Sequence, residues 1–228
     1  LAVLLAALLV AVTALTGVGF FTDRIAQAVQ QRVAEVIAAD LRLTSTKSPD
    51  ASYEALAAEN GIETARTVSF PSVVFFGEES SISAVRAASP GYPLRGRVKI
   101  SDAPFTPARE TDALPGRGEA WLDSRLLARL GARIGDRVNV GASGFTVTQV
   151  LDYRPDQGSA FVDLAPSLLI PLADLEATEL LGPGSRATWS VLFAGPPAAV
   201  RAFKPRLAER KEEGERLVDV SEESPQIQ

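Results

Sequence analysis

The sequence predicts an α+β fold tethered to a membrane by its own N-terminus, and three observations carry that reading. Leu1 to Phe21 holds no charged residue. Two strand-helix-strand patterns bracket the rest of the chain, one starting at Leu41 and one at Ala187. Between them runs a Pro- and Gly-rich stretch in which apolar and polar residues alternate as in half-buried strands.

The uncharged run comes first. At about 1.5 Å per residue, a helix of its length spans a bilayer's hydrocarbon core of about 30 Å. Its only polar side chains are Thr13 and Thr16, whose hydroxyls can bond back to their own helix in lipid. Residues 1–21 are therefore expected to form a transmembrane helix, with Phe20 and Phe21 at the membrane interface. A signal peptide is the competing reading, because Val12-Thr13-Ala14 resembles a cleavage site. Such apolar regions, however, run about 7 to 15 residues behind a basic segment. A buried soluble helix would need a large core around so long an apolar run. No Met occurs, so a further segment is expected ahead of Leu1.

Residues 22–39 keep helical spacing. Ile25, Val29, Val33, Val36 and Ile37 fall on one face, and Asp23, Arg24, Gln27, Gln30, Gln31, Arg32 and Glu35 cover the rest. The membrane helix is expected to continue outward as a stalk. It packs either on its own domain or on a partner helix, and the narrowness of the stripe favours the partner.

From Leu41 the period changes. Leu41 to Ser45 alternates as a strand, Ser48-Pro49-Asp50 opens a helix over Ala51 to Glu59, and Asn60-Gly61 stops it. A strand from Ile62 to about Phe76 completes a βαβ unit, and another is expected over Ser81 to Ala88. The second unit has a strand over Ala187 to Phe193, a helix over Ala198 to Lys211 behind Gly195-Pro196-Pro197, and a strand over Arg216 to Val220. Two such units combine in one antiparallel sheet in split βαβ folds. Residues 40–95 and 187–228 are thus expected to form one lobe.

Residues 96–186 are expected to form an inserted β-rich lobe. Its parts are a strand over Glu119 to Asp123, a short helix over Ser124 to Leu130 and a turn at Gly135-Asp136. A hairpin of Arg137 to Val140 with Phe145 to Leu151 follows, then a strand near Leu168 to Ile170 and a helix over Leu172 to Leu181.

Apolar residues make up 46% of the chain and charged residues 22%, a balance suited to a domain with its own core. There is no Cys and no His, which removes disulfides, Ser-His-Asp and Cys-His nucleophilic sites, zinc centres built on those residues and His-based pH switching. With 23 basic against 28 acidic residues and no basic stripe, nucleic acid is not an expected partner. The charges following the apolar run are mixed in sign, which fits a non-cytoplasmic flank.

Gly116-Arg117-Gly118 lacks the third glycine and the helix of a phosphate loop. Glu78-Glu79, Glu212-Glu213 and Glu222-Glu223 are sequence neighbours that point apart on a helix or strand, so no acid-base pair is assigned. Asp152, Asp156 and Asp163 lack calcium-loop spacing. No catalytic, cofactor-binding or metal-binding residue is expected, and no cofactor.

Specific stretches carry a resemblance. They are Phe20-Phe21-Thr22-Asp23-Arg24-Ile25, Ala38-Ala39-Asp40-Leu41, Gly91-Tyr92-Pro93-Leu94-Arg95-Gly96, Trp121-Leu122-Asp123 through Gly135-Asp136, and Pro183-Gly184-Ser185-Arg186. With the order of parts, they make the chain resemble the MacB-like periplasmic core domain of ABC transporter permeases, in the FtsX-like superfamily and close to its YbbP-type members. The resemblance implies a porter-like split βαβ lobe with an inserted sabre-like lobe. It also implies a cytoplasmic ABC ATPase subunit, a second permease copy or repeat, the lipid bilayer and a periplasmic protein as partners. The implied role is transmission of ATP-driven change across the bacterial inner membrane to move a hydrophobic or lipid-like cargo, with a returning stalk after Gln228. A tethered sensor or scaffold could use the same parts without transport.

The stalk stripe supplies a test. Val29→Asp or Val33→Asp should lower dimer cross-linking and ATP-dependent export by the full permease while the distal lobes stay folded, because a charge buried in a helix seam is costly unless paired. Gln30→Asp, on the polar face, should leave both unchanged.

Overall fold

The computed structural model describes residues 37–157, 165–182 and 184–219, together with Thr13, Thr16, Phe20, Phe21 and Arg24. Those five isolated residues are helical. The rest of the expected membrane span, and Ile25, Val29, Val33 and Val36 of the expected stalk, lie outside the described residues. Among the described residues no helix is long and apolar enough to cross a membrane.

Eleven described strands form one hydrogen-bonded sheet. Its base contains β1 (Leu41–Ser45), β2 (Glu63–Phe76), β10 (Thr188–Ala194) and β11 (Arg216–Asp219), in the order β11-β1-β10-β2 with antiparallel neighbours. Each βαβ unit is split by a strand of the other: β10 lies between β1 and β2, and β1 lies between β10 and β11. The crossover helices α1 (Ser52–Glu59) and α3 (Pro197–Arg210) cover one face.

Alternation decides which face. Leu41 and Leu43 of β1 and Val191 and Phe193 of β10 point to the helices, where Tyr53, Leu56, Phe203 and Leu207 meet them. The Phe193 and Phe203 rings sit 5.2 Å apart, tilted by 51°. Arg66 of β2 ion-pairs with Glu54 of α1 on the same face.

Above the base the sheet closes on itself. β2 pairs with β3 (Glu79–Ala88), β3 with β9 (Ser167–Pro171), β9 with β6 (Glu119–Leu122) and β6 with β8 (Ser143–Tyr153). β8 pairs with β7 (Arg137–Val140), and β7 returns to the far end of β2 through Val74 and Phe75. The result is a six-stranded barrel, filled by Val68, Phe70, Val74, Val85, Leu122, Val138, Phe145, Val147, Leu168 and Ile170 with α2 (Ser124–Leu130) against it. β4 (Val98–Ser101) and β5 (Arg109–Thr111) extend the sheet outward from β8.

The α+β class holds. α2 occupies the span its sequence predicts because both ends are marked locally. The Asp123 carboxylate accepts the Leu126 N–H at 2.7 Å, and Gly131 takes the left-handed conformation that ends the helix. The helix expected over Leu172 to Leu181 is instead two 3-10 turns, Leu172–Asp174 and Glu176–Thr178. Thr178 bonds its hydroxyl back to the Leu175 carbonyl at 2.7 Å and gives its own carbonyl to Ala142 N–H at 2.9 Å, and Glu179 follows with a positive φ. Those contacts stop helical propagation. Gly141 is required here, because a Cβ at its φ of +60° would collide with the Thr178 carbonyl.

One contact couples the base to pH. The buried Tyr53 hydroxyl donates to the Glu215 carboxylate at 2.6 Å, tying α1 to the turn before β11. Burial first, and then Glu215, push the phenol up to about 12. The fold favours the neutral form, so this contribution is whole below about 10 and is lost as pH rises from about 10 to 12. Denaturant midpoints across that range should fall for the wild type and fall less for Tyr53→Phe.

Candidate functional site

Two polar clusters meet just after Ile37, where the chain enters β1. Ile37 is the last helical residue and is fully buried within the chain's own fold. Ala38 then turns with a φ of +61°, a conformation that costs a residue with a Cβ about 1 kcal/mol. Its carbonyl accepts both the Leu94 and Arg95 N–H groups at 3.0 Å, and the Asp40 N–H donates to the Phe193 carbonyl at 3.0 Å. Three residues beyond the helix the chain is bound to two distant segments.

Asp40 and Arg95 close the contact. The Arg95 guanidinium grips both carboxylate oxygens, Nε to Oδ1 at 2.9 Å and Nη2 to Oδ2 at 2.6 Å. Gly195 N–H donates to Oδ2 at 3.0 Å, and the Gly195 carbonyl accepts from Arg95 Nη2 at 3.2 Å.

The second cluster lies deeper and is built on the same turn. Tyr92 OH donates to Asp156 Oδ1 at 2.8 Å. Asp156 also pairs with Arg86 of β3 at 2.9 Å and with Arg154, just past β8, at 3.0 Å. Arg86 Nη1 reaches the Thr67 hydroxyl of β2 at 3.1 Å. Arg154 and the Asp156 carboxylate are 1% exposed, so the pairing operates away from water. Burial pushes the Arg86 guanidinium down, Asp156 opposes that, and Arg154 and Arg42 add to it. Burial and then Asp156 push the Tyr92 phenol up. One carboxylate thus holds two buried guanidiniums and a phenol, joining β2, β3 and the end of β8.

Among the described residues the other buried carboxylates serve such contacts too. Asp123 accepts from the Leu126 and Ser167 amides, Asp174 accepts the Gly118 N–H at 2.8 Å and pairs with Arg117, and Glu215 accepts from Tyr53 and the Glu212 amide. In the Gly116-Arg117-Gly118 loop, the amides of both glycines are taken by the carboxylates of Glu119 and Asp174. Among the described residues no three His, Cys, Asp or Glu side chains converge as a metal cage.

Of the residues singled out from sequence, Phe20 and Phe21 are helical and 69% and 67% exposed, while Ile37 is buried. Two motif stretches, 38–41 and 91–96, come together as the Asp40–Arg95 clamp. Sequence reasoning assigned no role to Arg86, Arg154 or Asp156; no local signal brings Arg86 to the 154–156 loop seventy residues on.

The chain belongs to the MacB-like periplasmic core domain family, whose model matches residues 1–210. It is 28% identical over 189 residues to an uncharacterized ABC transporter permease, YbbP of Escherichia coli K12, in a match covering 83% of this chain and 22% of that protein. The fold is similar to the extracellular domain of the noncanonic ABC-type transporter YknZ from Gram-positive bacteria, with a TM-score of 0.52 and 13% identity over 78% of this chain and all of that one. The periplasmic region of MacB from Actinobacillus actinomycetemcomitans matches at a TM-score of 0.49 and 12% identity, over 83% of this chain and 92% of that one.

Removing the shared carboxylate should expose its weight. Asp156→Asn leaves two buried guanidiniums facing a neutral amide and should cost about 3–5 kcal/mol in urea unfolding. Exposed Asp152→Asn should stay within about 0.5 kcal/mol.

Proposed function

We propose that the chain is the extracytoplasmic domain of an ABC transporter permease subunit in the bacterial inner membrane, and that it transmits ATP-driven conformational change to a hydrophobic or lipid-like cargo. A separate cytoplasmic ATPase hydrolyses the nucleotide, and a second permease copy and a periplasmic protein are its other partners. Residues 40–95 and 187–228 serve as the porter-like lobe and residues 96–186 as the sabre-like lobe, with β2 and β3 running through both.

One observation carries this reading. The incoming strand β1 and the outgoing strand β11 are antiparallel neighbours, and Leu41 lies directly opposite Asp219. A domain whose two ends share one edge of its sheet can be inserted between two membrane helices without disturbing either. Motion of those helices is then delivered to the base, and the barrel swings at the far end as a rigid body.

These 228 residues hold no Cys, so the test needs only that any cysteines elsewhere in the permease and its ATPase be replaced. A spin label at Ser80→Cys, on the exposed β2–β3 hairpin tip, reports the distance between two copies in the full permease with its ATPase in proteoliposomes. The label separation should change between the nucleotide-free and ATP-trapped states. Identical distances in every nucleotide state would overturn the reading.

A further inference from the structure

We propose that Arg95 is the positioning residue that couples the helical segment ending at Ile37 to the barrel, acting through Asp40 as a rigid joint. The inference rests on the force-transmitting reading above and adds to it the place where force crosses from helix to sheet. A helix that ended in a free linker could turn without moving the domain. Here six hydrogen bonds fix Ala38 and Asp40 within three residues of the helix end: two onto the Ala38 carbonyl, one from the Asp40 N–H, and three onto the Asp40 carboxylate.

The partners in that joint occupy mechanically central positions. Gly195 directly follows β10, the strand between β1 and β2 at the centre of the base. Arg95 belongs to the turn after β3, a wall of the barrel. Three residues back in that turn, Tyr92 is bonded to Asp156, which grips Arg86 on β3 and Arg154 beyond β8. The Asp40–Arg95 ion pair is thus joined through the backbone of the 92–95 turn to the Tyr92–Asp156 hydrogen bond, and from there to Arg86 on β3 and Arg154 just past β8. The positive φ of Ala38 fits the same role: a strained backbone persists where its surroundings hold it, and the two amides of Leu94 and Arg95 do so.

Arg95 suits the task for a chemical reason. Its planar fork fixes the angle of the carboxylate as well as its distance, which a lysine ammonium could not do. The side chain is 35% exposed and the Asp40 side chain 22%, so the joint lies at the rim of the base and outside the packed core. Its loss should weaken coupling more than folding.

The experiment uses the full permease with its ATPase and the Ser80→Cys label. Arg95→Gln should keep ATP hydrolysis and the fluorescence of buried Trp121 while the population of the ATP-dependent distance state falls about tenfold, the factor expected for one lost charge-assisted pair. Arg95→Lys, which keeps the charge and loses the fork, should fall between. Arg97→Gln, which removes an exposed neighbour that pairs with Asp112, should behave as wild type. If Arg95→Gln fails to fold, Asp40→Asn decides on the same criterion, since it retains an acceptor for the Gly195 amide. A wild-type distance change that survives Arg95→Gln, or Asp40→Asn in its place, overturns the joint and leaves the force-transmitting reading standing. A wild type with no distance change removes both.

Discussion

The structure depends on one strand doing two jobs. β2 is 14 residues long, about 45 Å of extended chain. Its first half pairs with β10 in the base and its last residues pair with β7 in the barrel, while β3 runs beside it from Thr67 to Phe76. Because a strand's side chains alternate, one face of β2 serves both layers. Thr64 and Arg66 lie on the side of α1, and Val68, Phe70 and Val74 continue that face into the barrel interior. The opposite face carries Ala65 and Thr67 at the junction and then Val73 and Phe75, which are partly exposed to water. A one-residue slip would exchange these faces and destroy the base and the barrel together.

This shared strand makes the junction a demanding place to put charge. Arg86 and Thr67 sit on β3 and β2 near where base gives way to barrel, and the loop carrying Arg154 and Asp156 covers them. Buried ion pairs seldom add net stability over apolar packing, yet they tolerate little displacement once formed. A cluster that demands correct distances among β2, β3, β8 and the 91–96 turn therefore resists bending between the two halves. The exposed pairs on the outer hairpin differ in kind. Arg97 with Asp112 and Lys99 with Glu110 lie in water on the outer strands, where such pairs contribute little energy. Charge of that kind on an edge strand protects it from pairing with other chains.

What was legible in the sequence was what local chemistry decides. β1, α1, α2, the β7–β8 hairpin, α3 and β11 follow from apolar period, prolines at helix starts and glycines at turns, all acting over a few residues. β4 and β5 were not legible. They are four and three residues long, sit in a proline-rich stretch, and exist because β8 offers a template for pairing. The 172–181 segment has helical spacing but is captured by contacts of Gly118 with Asp174, Ser143 with Ala177 and Ala142 with Thr178. At the site, Asp40 and Arg95 were visible as members of motif stretches, with nothing to say that they touch.

The sequence by itself determined the fold class, the strand-helix-strand elements of the base and the lack of Cys and His, because composition and period are properties of neighbouring residues. Only the tertiary structure decided that β7 returns to β2 to close a barrel, that Asp156 reaches Arg86 on β3, and that Ala38 and Asp40 are held by segments ending at Arg95 and Gly195. Each of those contacts joins residues far apart in the chain. Their geometry is set by the twist and register of the whole sheet, which no short stretch of sequence encodes.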